Sequence, residues 1–404
     1  MSGRLREPET IRLCRVVNVA SMVSVVLWEQ LAYLRDAGFD LTIVADANPE
    51  FAEAASRLGI RAVGIPMRRA PSPRYDLASL RAMTSFIQSQ RFDVVHSVEP
   101  KAGLLAMLSA AVAHVPVRMH TYTGQVWVEL TGWWREAARA GDWTIGHTGT
   151  QLLADSRSGA EFLVSQGIVE RRRIAVLGSG SISGIDLARF RPGRGDADAI
   201  ACRSSLGISP DAKMILFVGR VVEDKGIGEL VDAFDEIAAS DPDVHLVVVG
   251  PLEPERAPLP QALLLRLTRT SRVHFTGRQD PVPFFRASDL FCLPSYREGF
   301  PTVVLEAAAC GVPTVASDII GNVDAVVNGT TGVLVPVKSS RHLADALRLL
   351  LQDRDMRRRL GDAALDRVRH EFDSRRVNAS LAETYLAAVE RRTDRIAARN
   401  AAVR

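Results

Sequence analysis

The stretch Leu290-Phe-Cys-Leu-Pro294 leads into Glu298-Gly-Phe-Pro-Thr-Val-Val-Leu-Glu306 and closes on Gly311-Val-Pro313. The apolar run reads as a buried parallel strand. Ser295 to Pro301 reads as a loop, Thr302 as the cap of the helix that follows, and Gly311-Val312-Pro313 as its end. Glu298 then sits on a loop at the carboxyl end of a strand, with Glu306 about one turn into the helix. In open α/β sheets ligands bind at that edge, and a helix start offers N–H groups to an anion. Two carboxylates beside such a start are placed to hold sugar hydroxyls next to a phosphate. The plainer reading is a solvated surface pair. The strand, the loop prolines and the capped helix weigh against it.

Working outward, the second half repeats the strand pattern at Met214–Val218, Val244–Val249, Val273–Phe275, Thr314–Ala316 and Gly332–Val335. The first half carries strand-like runs at Leu13–Val19, Leu41–Ala45, Ala62–Ile65, Asp93–His96, Val117–Thr121, Leu152–Asp155 and Ile174–Leu177. Helix-like runs lie between them, among them Val25–Ala37, Leu77–Gln90 and Lys101–Ala113. Such alternation implies parallel sheets covered on both faces. Phe190 to Asp198 is polar and rich in turn formers, and reads as a linker. The expected fold class is α/β, with two doubly wound Rossmann-like domains facing across a cleft. Residues 1–192 form the first domain and 193–373 the second, and a helix starting at Asp373-Ser374 ends the chain.

Composition narrows the class. The 404 residues are 47% hydrophobic and 24% charged, ordinary for a globular protein. A net charge of +3 argues against a dedicated nucleic-acid binder. The four cysteines, Cys14, Cys202, Cys292 and Cys310, are scattered, which fits a reducing cytoplasm and suggests neither a disulfide framework nor a zinc site. The N-terminal residues Met1 to Thr10 are polar, without a signal-peptide core. No run reaches the roughly 18 apolar residues of a spanning helix, so membrane contact is expected to be peripheral.

The first strand of the second half runs into Gly219-Arg220-Val-Val-Glu-Asp-Lys225-Gly226, with a helix to about Ala239. Gly219 allows a tight turn at the strand end. Arg220 and Lys225 stand at the same sheet edge as the Glu298 loop, where a guanidinium grips phosphate through two N–H groups and an ammonium adds a point charge. The competing reading pairs them with Glu223 or Asp224 at a surface turn.

Taken together, Gly219-Arg220, Lys225-Gly226, Glu298-Gly-Phe-Pro and Glu306 resemble the family 4 retaining glycosyltransferases of GT-B fold. Val247-Val-Val-Gly250, Val273-His-Phe-Thr-Gly277, Ala287-Ser-Asp289, Gly329-Thr-Thr-Gly332 and Asp93-Val-Val-His96 support the likeness, which covers about residues 12 to 390. The resemblance implies a donor-binding set of Gly219, Arg220, Lys225, Glu298, Phe300, Pro301, Thr302 and Glu306. Arg220 and Lys225 would hold the diphosphate, Glu306 the ribose and Glu298 the transferred sugar, with Phe300, Pro301 and Thr302 against sugar and phosphate. His120, in Arg118-Met-His120-Thr-Tyr-Thr-Gly124, matches a functional histidine facing the acceptor. The alternative for it is a packed, hydrogen-bonded core residue. Arg220, Lys225, Glu298 and His120 form the implied catalytic group, and the terminal helix 374–404 would pack back on the first, acceptor-binding domain.

One departure stands out. Many members carry a Gly-rich turn after the first strand, where this chain has Asn18-Val-Ala-Ser21-Met-Val-Ser24. Polysaccharide-assembly members also lack it and share stretches like His120-Thr-Tyr-Thr-Gly-Gln-Val-Trp127, which implies a lipid-linked acceptor. The expected activity is transfer of a sugar from a nucleotide-diphosphate donor, with uridine favoured, and with retention of anomeric configuration. Neither metal nor cofactor is expected, since the nucleotide-sugar is itself a substrate. Asp196-Ala-Asp198 and Asp241-Pro-Asp243 read as turns rather than metal ligands. A nucleotide-sugar epimerase and a non-catalytic scaffold are the competing functions. Trp127, Trp133, Trp134 and Trp143, with Arg135, Arg139 and the Arg68, Arg69, Arg74 group, suit contact with an anionic membrane at its cytoplasmic face. They suit equally a helix packed on the sheet.

Overall fold

The computed structural model describes residues 10–68, 72–254 and 257–402. Met1 to Glu9 and Arg69 lie outside the described residues. The chain forms two units: one takes the chain up to Ser183 plus the segment from Ser374, and the other is Gly184–Asp373.

In the first unit the strands are β1 (Arg12–Val16), β2 (Asp40–Ala45), β3 (Arg61–Gly64), β4 (Val94–Val98), β5 (Val117–Tyr122), β6 (Gln151–Ala154) and β7 (Ile174–Val176). Its helices are α1 (Trp28–Asp36), α2 (Pro49–Leu58), α3 (Pro73–Gln90), α4 (Pro100–Val112), α5 (Gly132–Thr148) and α6 (Arg157–Ser165). The second unit holds α7 (Ala197–Ser205), β8 (Lys213–Val218), α8 (Ile227–Ala238), β9 (Val244–Val249), α9 (Gln261–Arg269), β10 (Val273–Gly277), α10 (Val282–Ala287), β11 (Leu290–Leu293) and α11 (Thr302–Ala309). It continues with β12 (Thr314–Ser317), α12 (Asn322–Ala325), β13 (Gly332–Val335), α13 (Ser340–Gln352) and α14 (Arg354–Glu371), and α15 (Ser374–Ala402) returns to the first unit.

The sheets run in the orders β3-β2-β1-β4-β5-β6-β7 and β10-β9-β8-β11-β12-β13, with parallel pairing in every described ladder. Parallel strands buried on both faces need continuous apolar runs. Leu290 to Leu293 meets that need, with all four side chains buried. Alternation along β1 sends Leu13 into a core shared with Leu31, Phe51 and Leu381, and Cys14 and Val16 into a second core with Met83, Leu105 and Ile145. Order reverses between β1 and β4 in one sheet and between β8 and β11 in the other. Such reversals are where open α/β sheets take ligands.

Two features were not legible beforehand. The Phe190–Asp198 stretch, read as a linker, is packed onto the second unit. Ile185 donates its N–H to Phe372 at 2.8 Å, Phe190 meets Phe285 edge-on, and Arg286 reaches the carbonyls of Arg189 and Arg191. The units therefore part at Ser183/Gly184 and not after Pro192. Arg15, on β1, is fully buried and bonds Tyr385 Oη of α15 and Gln30 Oε1, each at 2.8 Å, as well as His96.

Candidate active site

The loops after β8 and β11 leave adjacent strands at the reversal point of the second sheet. Backbone conformation draws them together. Gly226 adopts φ +68°, and a Cβ there would fall 2.1 Å from Pro294 O. Gly321, at φ +85°, lets the chain pass so close to the Glu298 loop that a Cβ would meet Gly299 O at 2.0 Å. Only glycine meets both demands. The loop itself is pinned: Tyr296 N–H donates to Asp224 O at 2.8 Å, and its hydroxyl bonds both carboxylate oxygens of Glu229, at 2.6 and 2.7 Å.

This packing sets Lys225 Nζ 2.6 Å from Glu298 Oε1, both side chains about 15% exposed (15% and 14%). Arg220 pairs with Glu253 at 3.1 Å and keeps 35% of its side chain exposed. Of the two alternative partners, Asp224 lies 4.0 Å from Arg297. Phe300 is buried against Phe372, with ring centroids 5.5 Å apart. Thr302 is the first residue of α11 and not its cap. That position falls to Pro301, whose side chain offers no capping bond. Early N–H groups of a helix lack an acceptor four residues back; that of Val304 bonds Pro301 O at 2.9 Å. Glu306 lies one turn on and is half-buried. Burial pushes its carboxyl up to about 7, with Arg189 acting to lower it and Asp280 to raise it.

Gly219, Arg220, Lys225, Glu298, Phe300, Pro301, Thr302 and Glu306 thus all belong to the loops and helix start at the carboxyl edge of β8 and β11. His120 belongs to the first unit, on a strand as expected. It lies in β5, paired in register with Ser97. It is 1% exposed, its Nδ1 is 2.9 Å from Ser97 Oγ, and it meets the Tyr122 ring edge-on at 4.6 Å. Burial pulls its pKa down to about 3, so the imidazole is neutral. The side chain is thus packed and hydrogen-bonded within the first unit. β5 ends at Tyr122, and Thr123 and Gly124 follow it.

Sequence reasoning missed Glu253, Tyr296 and the Arg189–Asp280 pair at 2.8 Å. Glu253 was within reach of it, since Val247-Val-Val-Gly250 already marks the end of the neighbouring strand. It also missed Ser295 Oγ and Asn322 Oδ1, two of the four buried polar side-chain atoms without partners among the described residues. The two Asp-x-Asp patterns have structural tasks. Asp196 caps α7, and Asp241 pairs with Lys213 at 2.6 Å. Among the described residues no group of three or more His, Cys, Asp or Glu is arranged to hold a metal.

Two cations and two carboxylates therefore stand on the loops and helix that follow β8 and β11, at the reversal point where open α/β sheets take ligands. Residues 200–367 match the family described as Glycosyl transferases group 1, and residues 23–180 match Glycosyl transferase 4-like domain. A capsular polysaccharide biosynthesis glycosyltransferase, CapM of Staphylococcus aureus, is 29% identical over 88% of this chain and 92% of its own. A D-inositol 3-phosphate glycosyltransferase of Pseudarthrobacter chlorophenolicus is 31% identical over 74% of this chain and 72% of its own. The chain spans about half the length of some other proteins of that name, 53% in the case of Nocardia farcinica. Among solved structures, Anabaena HepE in complex with UDP and glucose superposes with a TM-score of 0.78 at 18% identity, over 93% of this chain and 100% of that one. The sucrose-phosphate synthase of Thermosynechococcus elongatus gives 0.78 at 20% identity, over 93% and 98%. The chain belongs to the family 4 glycosyltransferases of GT-B fold.

Proposed function

We propose that this glycosyltransferase moves a sugar from a uridine diphosphate donor to a hydroxyl of a lipid-linked glycan in polysaccharide biosynthesis, with retention of configuration. The observation that carries the reading is the contact of Lys225 with Glu298 at the β8/β11 reversal, with Arg220 on the loop that bears Lys225 and Glu306 on the helix that follows Glu298. The name of the CapM relative supports a polysaccharide product, and HepE's complex with UDP and glucose supports the donor class. An acceptor carried on lipid puts the reaction at the cytoplasmic face of a membrane.

In this mechanism the diphosphate displaces Glu253 from Arg220, which then holds phosphate through two N–H groups. Lys225 stays between Glu298 and the phosphate, and Glu298 accepts hydroxyls of the transferred sugar. The bond from the anomeric carbon to the phosphate oxygen breaks while the acceptor oxygen bonds to the same face of that carbon. The acceptor's proton passes to the departing phosphate oxygen. Arg220, Lys225 and the α11 dipole stabilise the charge growing on the diphosphate, so the step uses neither a metal ion nor a protein nucleophile. Glu306 accepts the ribose hydroxyls.

The test is UDP release from a panel of UDP-sugars, by the wild type and Arg220→Ala. A fall of about a hundredfold or more with the fold intact is expected. Near-normal turnover in the variant sinks the mechanism. A donor converted to its epimer without UDP release would replace it with the epimerase reading.

A further inference from the structure

One surface of the first unit is left apolar by folding. The inner side of α5 buries Asp142, Ile145 and Gly146. Its outer side exposes Trp133 by 64% and Trp143 by 49%, with Ala137 and Ala140 exposed between them. Steps of three and four residues put these four on one stripe, about 15 Å long. The acid on that stripe, Glu136, lies 3.9 Å from Arg139. Trp134, 46% exposed, has its ring centroid 3.5 Å from that of Trp133.

The turn ahead of α5 extends the stripe. Trp127 is held beneath it, its indole N–H donating to Asp142 Oδ2 at 2.7 Å and its ring stacked on Phe162. With that anchor inward, Val126, Val128 and Leu130 remain exposed. The starts of α3, α4 and α5 all follow strand carboxyl ends, so they share one edge of the sheet. There Tyr75 and Leu77 are exposed, and the Arg68 guanidinium lies 3.5 Å from the Tyr75 ring centroid. Arg74 and Arg135 are exposed at the same edge. Lys101 is held by Asp76 at 2.7 Å. Arg69, expected to join this group, is outside the described residues.

We propose that this face, made of the outer stripe of α5, the Val126–Leu130 turn and the start of α3, docks on an anionic lipid bilayer. Indole rings beside arginines suit the boundary between headgroups and acyl chains, where an apolar body and a polar N–H are both satisfied. Arg68, Arg74 and Arg135 meet lipid phosphates. A second copy of the chain fits less well, because a two-fold contact sets each patch against itself and brings arginines together. Contact is peripheral, since no helix among the described residues is long and apolar enough to cross a membrane. The docking rests on the proposed function only for its purpose, delivery of a lipid-carried acceptor to this sheet edge.

The experiment sediments the full chain with vesicles of phosphatidylcholine alone or mixed with phosphatidylglycerol. Wild type is compared with the Trp133→Ala/Trp134→Ala and Arg68→Glu/Arg74→Glu double variants. The tryptophan pair is expected to lower partitioning about tenfold. The arginine pair is expected to abolish the preference for phosphatidylglycerol and its sensitivity to salt. Quenching of tryptophan fluorescence by brominated lipid should fall in the tryptophan variant. Wild type failing to bind anionic vesicles, or variants binding equally well, overturns the proposal. So does a dimer, seen by sedimentation equilibrium, that the same substitutions dissociate. Thermal stabilisation by UDP is measured on every variant: its retention shows intact folding, and its absence in a wild type that binds vesicles counts against the donor site alone.

Discussion

Glu306 joins binding and stability in one carboxyl group. Its ordinary value near 4.5 is raised to about 7, burial being the main cause. Between those values the folded state keeps a proton that the unfolded state has released. The group therefore costs stability as pH rises through this window, with the full cost above about 7. Ribose hydroxyls need an acceptor, so UDP affinity should rise from about pH 6 to about pH 8. Calorimetry across that range checks it. Glu306→Gln should flatten the dependence while making the free protein more stable at the alkaline end. A steep rise persisting in Glu306→Gln would assign the titration to another group. His120 gives the opposite expectation at the same scale. A neutral, buried imidazole bonded to Ser97 holds the core, so His120→Ala should cost about 2 kcal/mol of stability and leave kcat of the folded fraction within a few-fold. A loss of kcat of a hundredfold at unchanged Tm would return it to the catalytic group.

At the scale of elements, the site depends on two loops held closer than any side chain permits. Gly226 is the clearest case, because Pro294 O occupies the place of a Cβ and φ is +68°. Gly226→Ala must push the β8 loop off the β11 loop and separate Lys225 from Glu298. We expect destabilisation beyond about 1 kcal/mol and at least tenfold weaker UDP binding, read by thermal melting and titration. An Ala variant with unchanged affinity would show that the two loops need not touch. The strands and helices around these loops were legible because their signals are local. Apolar runs of four to six residues between turn formers mark strands; the caps Asn48, Ser156, Asp196, Ser339 and Asp353 came to light only in the structure. Thr302 was misread as a cap because Pro301 ahead of it takes that place with no side-chain acceptor.

At the scale of the whole molecule, each unit has its own core and its own reversal point, so donor binding should register in one of them first. Hydrogen exchange with UDP present should slow the amides of residues 219–226 and 295–306. At a hundred times Kd, UDP stabilises the unit it binds by about 2.7 kcal/mol. Protection confined to β1, β4 and β5 would place the nucleotide in the first unit and refute the site. The sequence alone determined the two doubly wound sheets and the strand ends that carry Arg220, Lys225 and Glu298, because periodicity and turn signals are properties of neighbouring residues, and its motifs carried the resemblance to the family. Tertiary structure decided the rest. It closed Lys225 on Glu298, gave Arg220 to Glu253, put His120 inside a core and fastened α15 through Tyr385 to a buried Arg15. It also took a turn-rich stretch for packing that composition assigned to a linker. Each of these contacts joins residues far apart in the chain, and which charge meets which is settled by the strand order that places them side by side.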